Sequence, residues 1–234
     1  MKTLVVMPTF NEAKSLASTV EGLLAEVDHV DVLVVDDNSQ DGTSEIADSL
    51  ATKHTRVRVL HRPSKQGLGP AYLEGFNYAF SNEYEIVVEM DADGSHQAKD
   101  LARLLAATAG VDLVIGSRWV SGGSVQNWPM ARLFLSRFGN LYARLMLGTK
   151  IFDMTSGFRA YRASFLKRLI ATPVSSQGYS FQVELAYRAA RDGVVVEVPI
   201  TFVERAEGKS KMTLGIVFEA LVKIQLWGIK RLFG

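Results

Sequence analysis

Short apolar runs at about 2–7, 31–36, 56–61, 85–90 and 111–116 alternate with helix-length segments at about 12–27, 42–52, 67–80 and 97–109 in the first half of this 234-residue chain. No long linker, repeat or low-complexity segment interrupts them. A strand that returns through a helix runs parallel to the one before it, so the pattern predicts an α/β fold: a mostly parallel central sheet flanked by helices. Parallel strands end on a common edge, and open α/β sheets bind ligands outside that edge. The residues that follow each apolar run are therefore the informative ones.

Three runs end in acidic or amide clusters. Residues 3–7 lead into Pro8-Thr9-Phe10-Asn11-Glu12, and 32–35 into Asp36-Asp37-Asn38-Ser39-Gln40-Asp41-Gly42-Thr43. Val87-Val88-Glu89-Met90 leads into Asp91-Ala92-Asp93-Gly94-Ser95-His96. Two carboxylates one residue apart repel each other unless a hard divalent cation lies between them. Mg²⁺ keeps most of its octahedral positions for water and phosphate oxygens, so such a pair suits a diphosphate-bearing substrate. A single Asp-x-Asp would read as a turn. Three such strand ends on one edge read as a site.

Other features narrow the chemistry. No G-x-G-x-x-G follows the first strand and no G-x-x-x-x-G-K-[ST] occurs, which argues against a nicotinamide enzyme. The absence of cysteine excludes disulfides, thiol nucleophiles and thiolate zinc sites, and His29, His54, His61 and His96 show no metal-ligand spacing. A formal net charge of +1 singles out no charged partner, and no nucleic acid is expected. The first apolar run is too short for a signal peptide, and no stretch reaches the roughly 18 to 20 residues of a bilayer span. The chain reads as cytosolic, with any membrane association peripheral.

Beyond residue 116 the alternation breaks. Arg118, in Gly116-Ser117-Arg118-Trp119, would bring a guanidinium to the acidic edge for an anionic ligand, or serve as a surface ion-pair partner. Lys65-Gln66-Gly67-Leu68-Gly69-Pro70-Ala71 is a secondary candidate for a diphosphate at a helix N-terminus. Ser121 to Pro129 reads as irregular chain. A helix over 130–147 either packs Leu133, Phe134, Phe138, Leu141, Leu145 and Met146 on the core, or lies in a lipid interface with arginines toward phosphates. A turn and strand follow at 153–161, a helix from Gly178 to Arg191, strands at 194–198 and 200–203, and a final apolar helix at about 213–232. For that last helix, membrane interface, dimer contact and core all stay open.

The ordered series Pro8 to Glu12, Asp36 to Thr43, Asp91-Ala92-Asp93, Gly116-Ser117-Arg118 and Arg205 to Lys211 resembles the family 2 glycosyltransferases of GT-A fold. More closely it is similar to the polyprenyl-phosphate (dolichyl-phosphate) mannose synthases, with an actinobacterial form of the Asp91 to His96 loop. The resemblance implies an inverting transfer of mannose from GDP-mannose to a polyprenyl monophosphate with Mg²⁺ or Mn²⁺, feeding lipid-linked glycan or lipoglycan synthesis and protein mannosylation. It places Pro8, Phe10, Glu12, Val35 and Asp37 at the guanosine, and Asp91, Ala92 and Asp93 at the diphosphate and metal. Ser95 joins the metal side, Arg118, Arg132 and Ser136 receive the lipid phosphate, and Arg205 and Lys211 belong to a loop closing over the donor. Asp91, Asp93 and Arg118 carry the catalysis. Residues 1–212 are the expected catalytic domain, and 213–234 a C-terminal amphipathic helix at the cytoplasmic face of the cell membrane, with a membrane-protein partner conceivable. Phe10 stands in place of the commoner tyrosine and Gly94 in place of leucine. The rival readings are a haloacid-dehalogenase-type phosphatase, a transferase with another donor such as UDP-glucose, and a non-catalytic nucleotide-sugar-binding subunit.

Overall fold

The computed structural model describes residues 1–174, 176, 178–204 and 214–233. In chain order the elements are β1 (Thr3–Thr9), α1 (Leu16–Glu26), β2 (Val30–Asp36), α2 (Thr43–Lys53), β3 (Val57–His61), α3 (Leu68–Ser81), β4 (Ile86–Glu89), α4 (Ala98–Ala106) and β5 (Leu113–Ser117). The second half continues with β6 (Ser124–Gln126), α5 (Met130–Leu147), β7 (Arg159–Arg162), α6 (Ala163–Leu169), α7 (Gly178–Asp192), β8 (Val195–Pro199), β9 (Thr201–Val203) and α8 (Leu214–Phe233).

Seven strands form one sheet in the order β3-β2-β1-β4-β7-β5-β8, and β6 and β9 pair in a small second sheet. All pairs of the main sheet are parallel except those of β7, which lies antiparallel between β4 and β5. Along β1 the side chains alternate between two cores: Leu4 and Val6 face a cluster with α3, α6 and α7, while Val5 and Met7 face one with α1, α2 and α4. Burial on both faces explains why the strands read as nearly unbroken apolar runs. Helix α3 lies so close to β1 that a Cβ at Gly75 would stand 2.3 Å from Val6 Cγ1.

The expected mostly parallel α/β sheet is present. Two short elements, β6 and α6, stand where no element was expected. Helix α5 reverses the ordinary amphipathic arrangement. Met130, Phe134, Leu135, Phe138, Leu141 and Leu145 are exposed, and its buried residues are Asn140, Ala143 and Leu147. The core-packing alternative for its apolar side therefore fails at Phe134, Phe138, Leu141 and Leu145. Helix α8 rests on the body through buried Ile224, a Tyr187–Trp227 stack at 6.4 Å, and Gly228 against the Met146 backbone. Val222, Leu226 and Ile229 on α8 are exposed. No helix among the described residues is long and apolar enough to cross a membrane.

Candidate active site

The sheet order reverses direction between β1 and β4, which opens a crevice at their C-terminal ends. The turns after β1, β2 and β4 each contain a residue with positive φ: Asn11 at 57°, Asn38 at 62° and Gly94 at 76°. Asn and Gly tolerate this left-handed conformation best, and it turns each chain sharply at the sheet edge.

The first two turns are laced together. Asn11 N–H donates to Ser39 Oγ at 2.9 Å, Glu12 N–H to Thr43 Oγ1 at 2.9 Å, and Gln40 N–H to Asn11 Oδ1 at 3.0 Å. Buried Asp36 accepts from Ser39 Oγ and Ser44 Oγ, both at 2.6 Å, and so holds the turn. Asp37 pairs instead with Arg62, whose side chain is fully buried. Arg62 also donates through Nε to Glu74 at 2.8 Å and through Nη2 to Gln66 at 3.1 Å. Phe10 presents one ring face to Lys65, whose Nζ lies 3.8 Å from the centroid. Pro8 is half-buried, and the Val35 side chain is wholly inside the core, so Val35 borders the crevice through its backbone alone.

The turn after β4 is fixed from several sides. Asp91 N–H donates to His96 Nδ1 at 3.2 Å, and Tyr72 Oη lies 3.5 Å from Asp91 Oδ1. Asp93 Oδ1 accepts from Ser95 N–H at 3.0 Å, and the Ala92 carbonyl accepts from Thr19 Oγ1 at 3.2 Å. His96 is buried, stacked on Phe158 at 4.9 Å with Phe202 edge-on at 5.4 Å. Burial drives its pKa down to about 4, so the imidazole is neutral, as accepting a hydrogen bond at Nδ1 requires. Asp91 and Asp93 are half-buried, and the buried Ser95 Oγ has no hydrogen-bond partner. Two carboxylates and an unsatisfied hydroxyl fit a hard divalent cation that completes its shell with water and phosphate oxygens. No group of three or more His, Cys, Asp or Glu among the described residues would hold a metal by protein ligands alone.

Below this turn Glu89 and Arg159 face each other across the β4–β7 pair, both fully buried and 4.0 Å apart. Desolvation outweighs the nearby guanidinium and pushes the Glu89 carboxyl up to about 7.

The opposite end of the crevice is cationic. Arg118 is buried and clasps Asp153 through Nε at 2.7 Å and Nη2 at 2.6 Å, with Thr155 Oγ1 at 2.8 Å. Arg132, Ser136 and Asn140 follow at four-residue spacing on one face of α5. Asn140 Nδ2 reaches Thr155 Oγ1 at 3.0 Å, joining that face to Arg118. Trp128 gathers the cations: its ring lies 4.1 Å from the Arg132 guanidinium and 5.4 Å from that of Arg118. Arg137 sits 5.1 Å over Trp119. Trp128 also meets Phe202 edge-on at 5.4 Å, so an aromatic bridge runs from His96 through Phe202 to this cluster. The ring contacts thus connect the acidic turn to the guanidiniums.

Residues 4–170 match the family described as glycosyl transferase family 2. The chain belongs to that family. It is 51% identical over 230 residues to the undecaprenyl-phosphate mannosyltransferase of Micrococcus luteus, covering 98% of this chain and 95% of that one. It is 50% identical over 232 residues to the polyprenol monophosphomannose synthase of Mycolicibacterium smegmatis, covering 98% and 88%. Among solved structures, glucosyl-3-phosphoglycerate synthase of Mycobacterium tuberculosis with Mn²⁺, UDP and glucosyl-3-phosphoglycerate superposes with a TM-score of 0.70 at 20% identity, over 97% of this chain and 79% of that one. The mannosyltransferase of Pyrobaculum calidifontis with GDP-Man and Mn²⁺ gives 0.61 at 22%, over 89% and 58%. These two likenesses establish the fold that this family 2 chain shares with them.

The structure brings Pro8, Phe10, Glu12, Asp37, Asp91, Ala92, Asp93 and Ser95 to one edge, and Arg118, Arg132 and Ser136 to the other end of the crevice. Arg205 and Lys211 lie outside the described residues. Sequence reasoning gave no role to Arg62, Trp128 or Asp153, noted His96 only as part of the acidic turn, and held Lys65 as part of a secondary diphosphate candidate. Arg62 had a readable signal: it directly follows β3, so a guanidinium at that strand end meets the acidic edge of a family 2 sheet.

Proposed function

We propose that this family 2 enzyme transfers mannose from GDP-mannose to the phosphate of a polyprenyl monophosphate, inverting the anomeric centre to give a β-mannosyl phosphoryl polyprenol. One observation carries the reading: a metal-suited carboxylate turn and a guanidinium–indole cluster are joined by the His96–Phe202–Trp128 bridge. The two relatives of about half identity, named for mannosyl transfer to polyprenyl phosphates, support the same donor sugar and acceptor class.

Pro8, Phe10, Glu12 and Asp37 hold the guanosine in this reading, with Arg205 and Lys211 contributing to the donor. Asp91, Asp93 and Ser95 would hold a divalent ion, Mg²⁺ or Mn²⁺, which would supply positive charge against the departing diphosphate. Arg118, Arg132 and Ser136 orient the lipid phosphate for in-line attack. One phosphate oxygen forms the new bond to C1 while the bond from C1 to GDP breaks, its electron pair leaving with GDP. A phosphate monoester is anionic near neutral pH, so the nucleophile needs no deprotonation. His96 supports that economy, since it is buried and its Nδ1 is committed to the Asp91 backbone.

The exposed apolar residues of α5 and α8 support peripheral attachment to the cytoplasmic face of the cell membrane, presenting the crevice to a lipid-borne acceptor. The decisive experiment is transfer of radiolabelled mannose from GDP-mannose to a short polyprenyl phosphate in detergent, with and without Mn²⁺ or Mg²⁺, beside Asp93→Ala. Metal-dependent labelling lost in the variant is the expected result. Labelling from UDP-glucose alone would replace the donor, and silence with both donors would leave a nucleotide-sugar-binding subunit.

A further inference from the structure

The Arg132 guanidinium, assigned above to the acceptor phosphate, is already engaged by a carboxylate. Arg132 Nη1 reaches both oxygens of Glu204, and both side chains are largely buried, at 20% and 24% exposure. Glu204 holds its position through its own backbone. Its N–H donates to the Gln126 carbonyl at 3.0 Å, just past the β6–β9 pair, so the carboxylate is delivered by a fixed strand end. The preceding residue, Val203, donates its N–H to the Ser95 carbonyl at 3.0 Å, which ties the same strand end to the metal-suited turn.

The neighbouring cations are balanced differently. Arg118 has Asp153, fully buried and bound at both oxygens, and Asp153 also accepts the Arg118 backbone N–H at 3.0 Å. Removing Arg118 from that clasp would strand a buried carboxylate. Arg137 has the Trp119 ring and no ion pair among the described residues. Within the cluster, the Arg132–Glu204 pair is therefore the one that is both formed and partly open to water. An anion arriving at Arg132 meets an occupied guanidinium, and the occupant is a side chain that water can receive when it leaves.

We propose that Glu204 is a built-in stand-in for the acceptor phosphate. It neutralises Arg132 while the acceptor end is empty and is exchanged for the lipid phosphate when the acceptor binds. A carboxylate and a phosphate monoester compete for the same guanidinium fork, and the phosphate carries the larger charge and more acceptor oxygens. The exchange costs acceptor affinity but spares the enzyme an uncompensated, largely buried cation between turnovers. Glu204 is thus a positioning residue that acts through Arg132. This inference rests on the acceptor reading given above.

The test is the Michaelis constant for a short polyprenyl phosphate in wild type, Glu204→Gln, Glu204→Asp, Arg132→Ala and the Arg132→Ala/Glu204→Gln double variant, with inorganic phosphate as a competing anion. Glu204→Gln should lower the acceptor KM about tenfold, the scale of one ion-pair exchange, and should make inorganic phosphate a correspondingly stronger inhibitor. Glu204→Asp, which retracts the charge by one methylene, should fall between. On the Arg132→Ala background the Glu204→Gln change should have no effect on KM. An acceptor KM that stays level or rises in Glu204→Gln overturns the proposal, as does an effect that persists without Arg132. Should Glu204→Gln fold poorly, the phosphate inhibition of Glu204→Asp decides in its place: no strengthening over wild type overturns the idea. A wild-type enzyme that labels no polyprenyl phosphate would bring down the acceptor reading itself, and this proposal with it.

Discussion

The backbone N–H of Asp91 donates to Nδ1 of His96, five residues later, at 3.2 Å. That bond closes the metal-suited turn on itself and fixes the tautomer, with the ring proton on Nε2. His96→Phe keeps an aromatic ring between Phe158 and Phe202 but leaves the Asp91 N–H without its acceptor. Losing such a half-buried hydrogen bond costs about 1 kcal/mol. Mn²⁺ affinity, read by calorimetry in the presence of GDP, should fall by about tenfold or more; unchanged affinity would show that the turn holds its shape without the histidine.

Glu89 and His96 give the protein opposite responses to pH. The Glu89 pKa is raised by burial from 4.5 to about 7, so its contribution to stability is complete below the unfolded value and is lost as pH rises through about 7. The His96 pKa is lowered by burial from 6.5 to about 4, so its contribution is present above the unfolded value and is lost as pH falls through about 4. In urea titrations across pH, Glu89→Gln should gain on wild type by roughly 3 kcal/mol between about pH 4 and pH 8. A stability difference that stays constant over that range would remove Glu89 as the titrating group.

Arg62→Ala strips the fully buried counter-ion from Asp37. Breaking such a pair by deleting one partner costs about 3–5 kcal/mol. Arg62→Lys should recover little, because a single ammonium cannot serve Asp37, Glu74 and Gln66 at once as the guanidinium does. Chemical denaturation measures the stability loss, and GDP binding in the surviving folded fraction should weaken as well. A lysine variant that behaves as wild type would mean the fork geometry is irrelevant.

The outward apolar face of α5 predicts a separable membrane defect. Phe134 and Phe138 stack on each other at 6.3 Å and stand 73% and 54% exposed. Replacing both with serine removes two large apolar groups, each contributing on the order of 1–2 kcal/mol when buried in lipid. Sedimentation with anionic vesicles should drop by more than tenfold while GDP binding is retained. Equal sedimentation by the variant would place the lipid contact elsewhere.

Gly228 lets α8 approach α5 so closely that a Cβ there would meet the Met146 carbonyl oxygen at 2.9 Å. Gly228→Leu should push the helices apart and cost about 1–3 kcal/mol, visible as a lower melting temperature. An unchanged melting temperature would show that α8 contributes nothing to the fold.

How much of this was legible depended on the range of the forces involved. The first five strands and four helices announced themselves through local periodicity, and the three polar strand ends followed because parallel strands share an edge. The position of β7 could not be read, since an antiparallel strand slipped between β4 and β5 is decided by tertiary packing. β6 is three residues long and largely exposed, so it carries no hydrophobic pattern to detect. Helix α5 stayed open between core and interface because its apolar stripe resembles that of any core helix, while the residues that dock it, Asn140 and Ala143, are unremarkable in sequence. The Arg118–Asp153 clasp joins residues 35 positions apart, a distance over which neither side chain advertises the other.

The reversed direction of β7 also bears on how such a chain can change over time. Because β7 runs against its neighbours, it starts rather than ends at the crevice, and the residues leading into it pass from Asp153 and Thr155 at Arg118 to Gly157 beside Asp91. In the function proposed above, the donor residues before Arg205 all precede residue 97, and those proposed for the acceptor fall in one continuous stretch from Arg118 to Ser136. Exchange of that stretch between lineages would bring a new acceptor preference while leaving the nucleotide end as inherited, so the two specificities can drift, duplicate and recombine as separate cassettes.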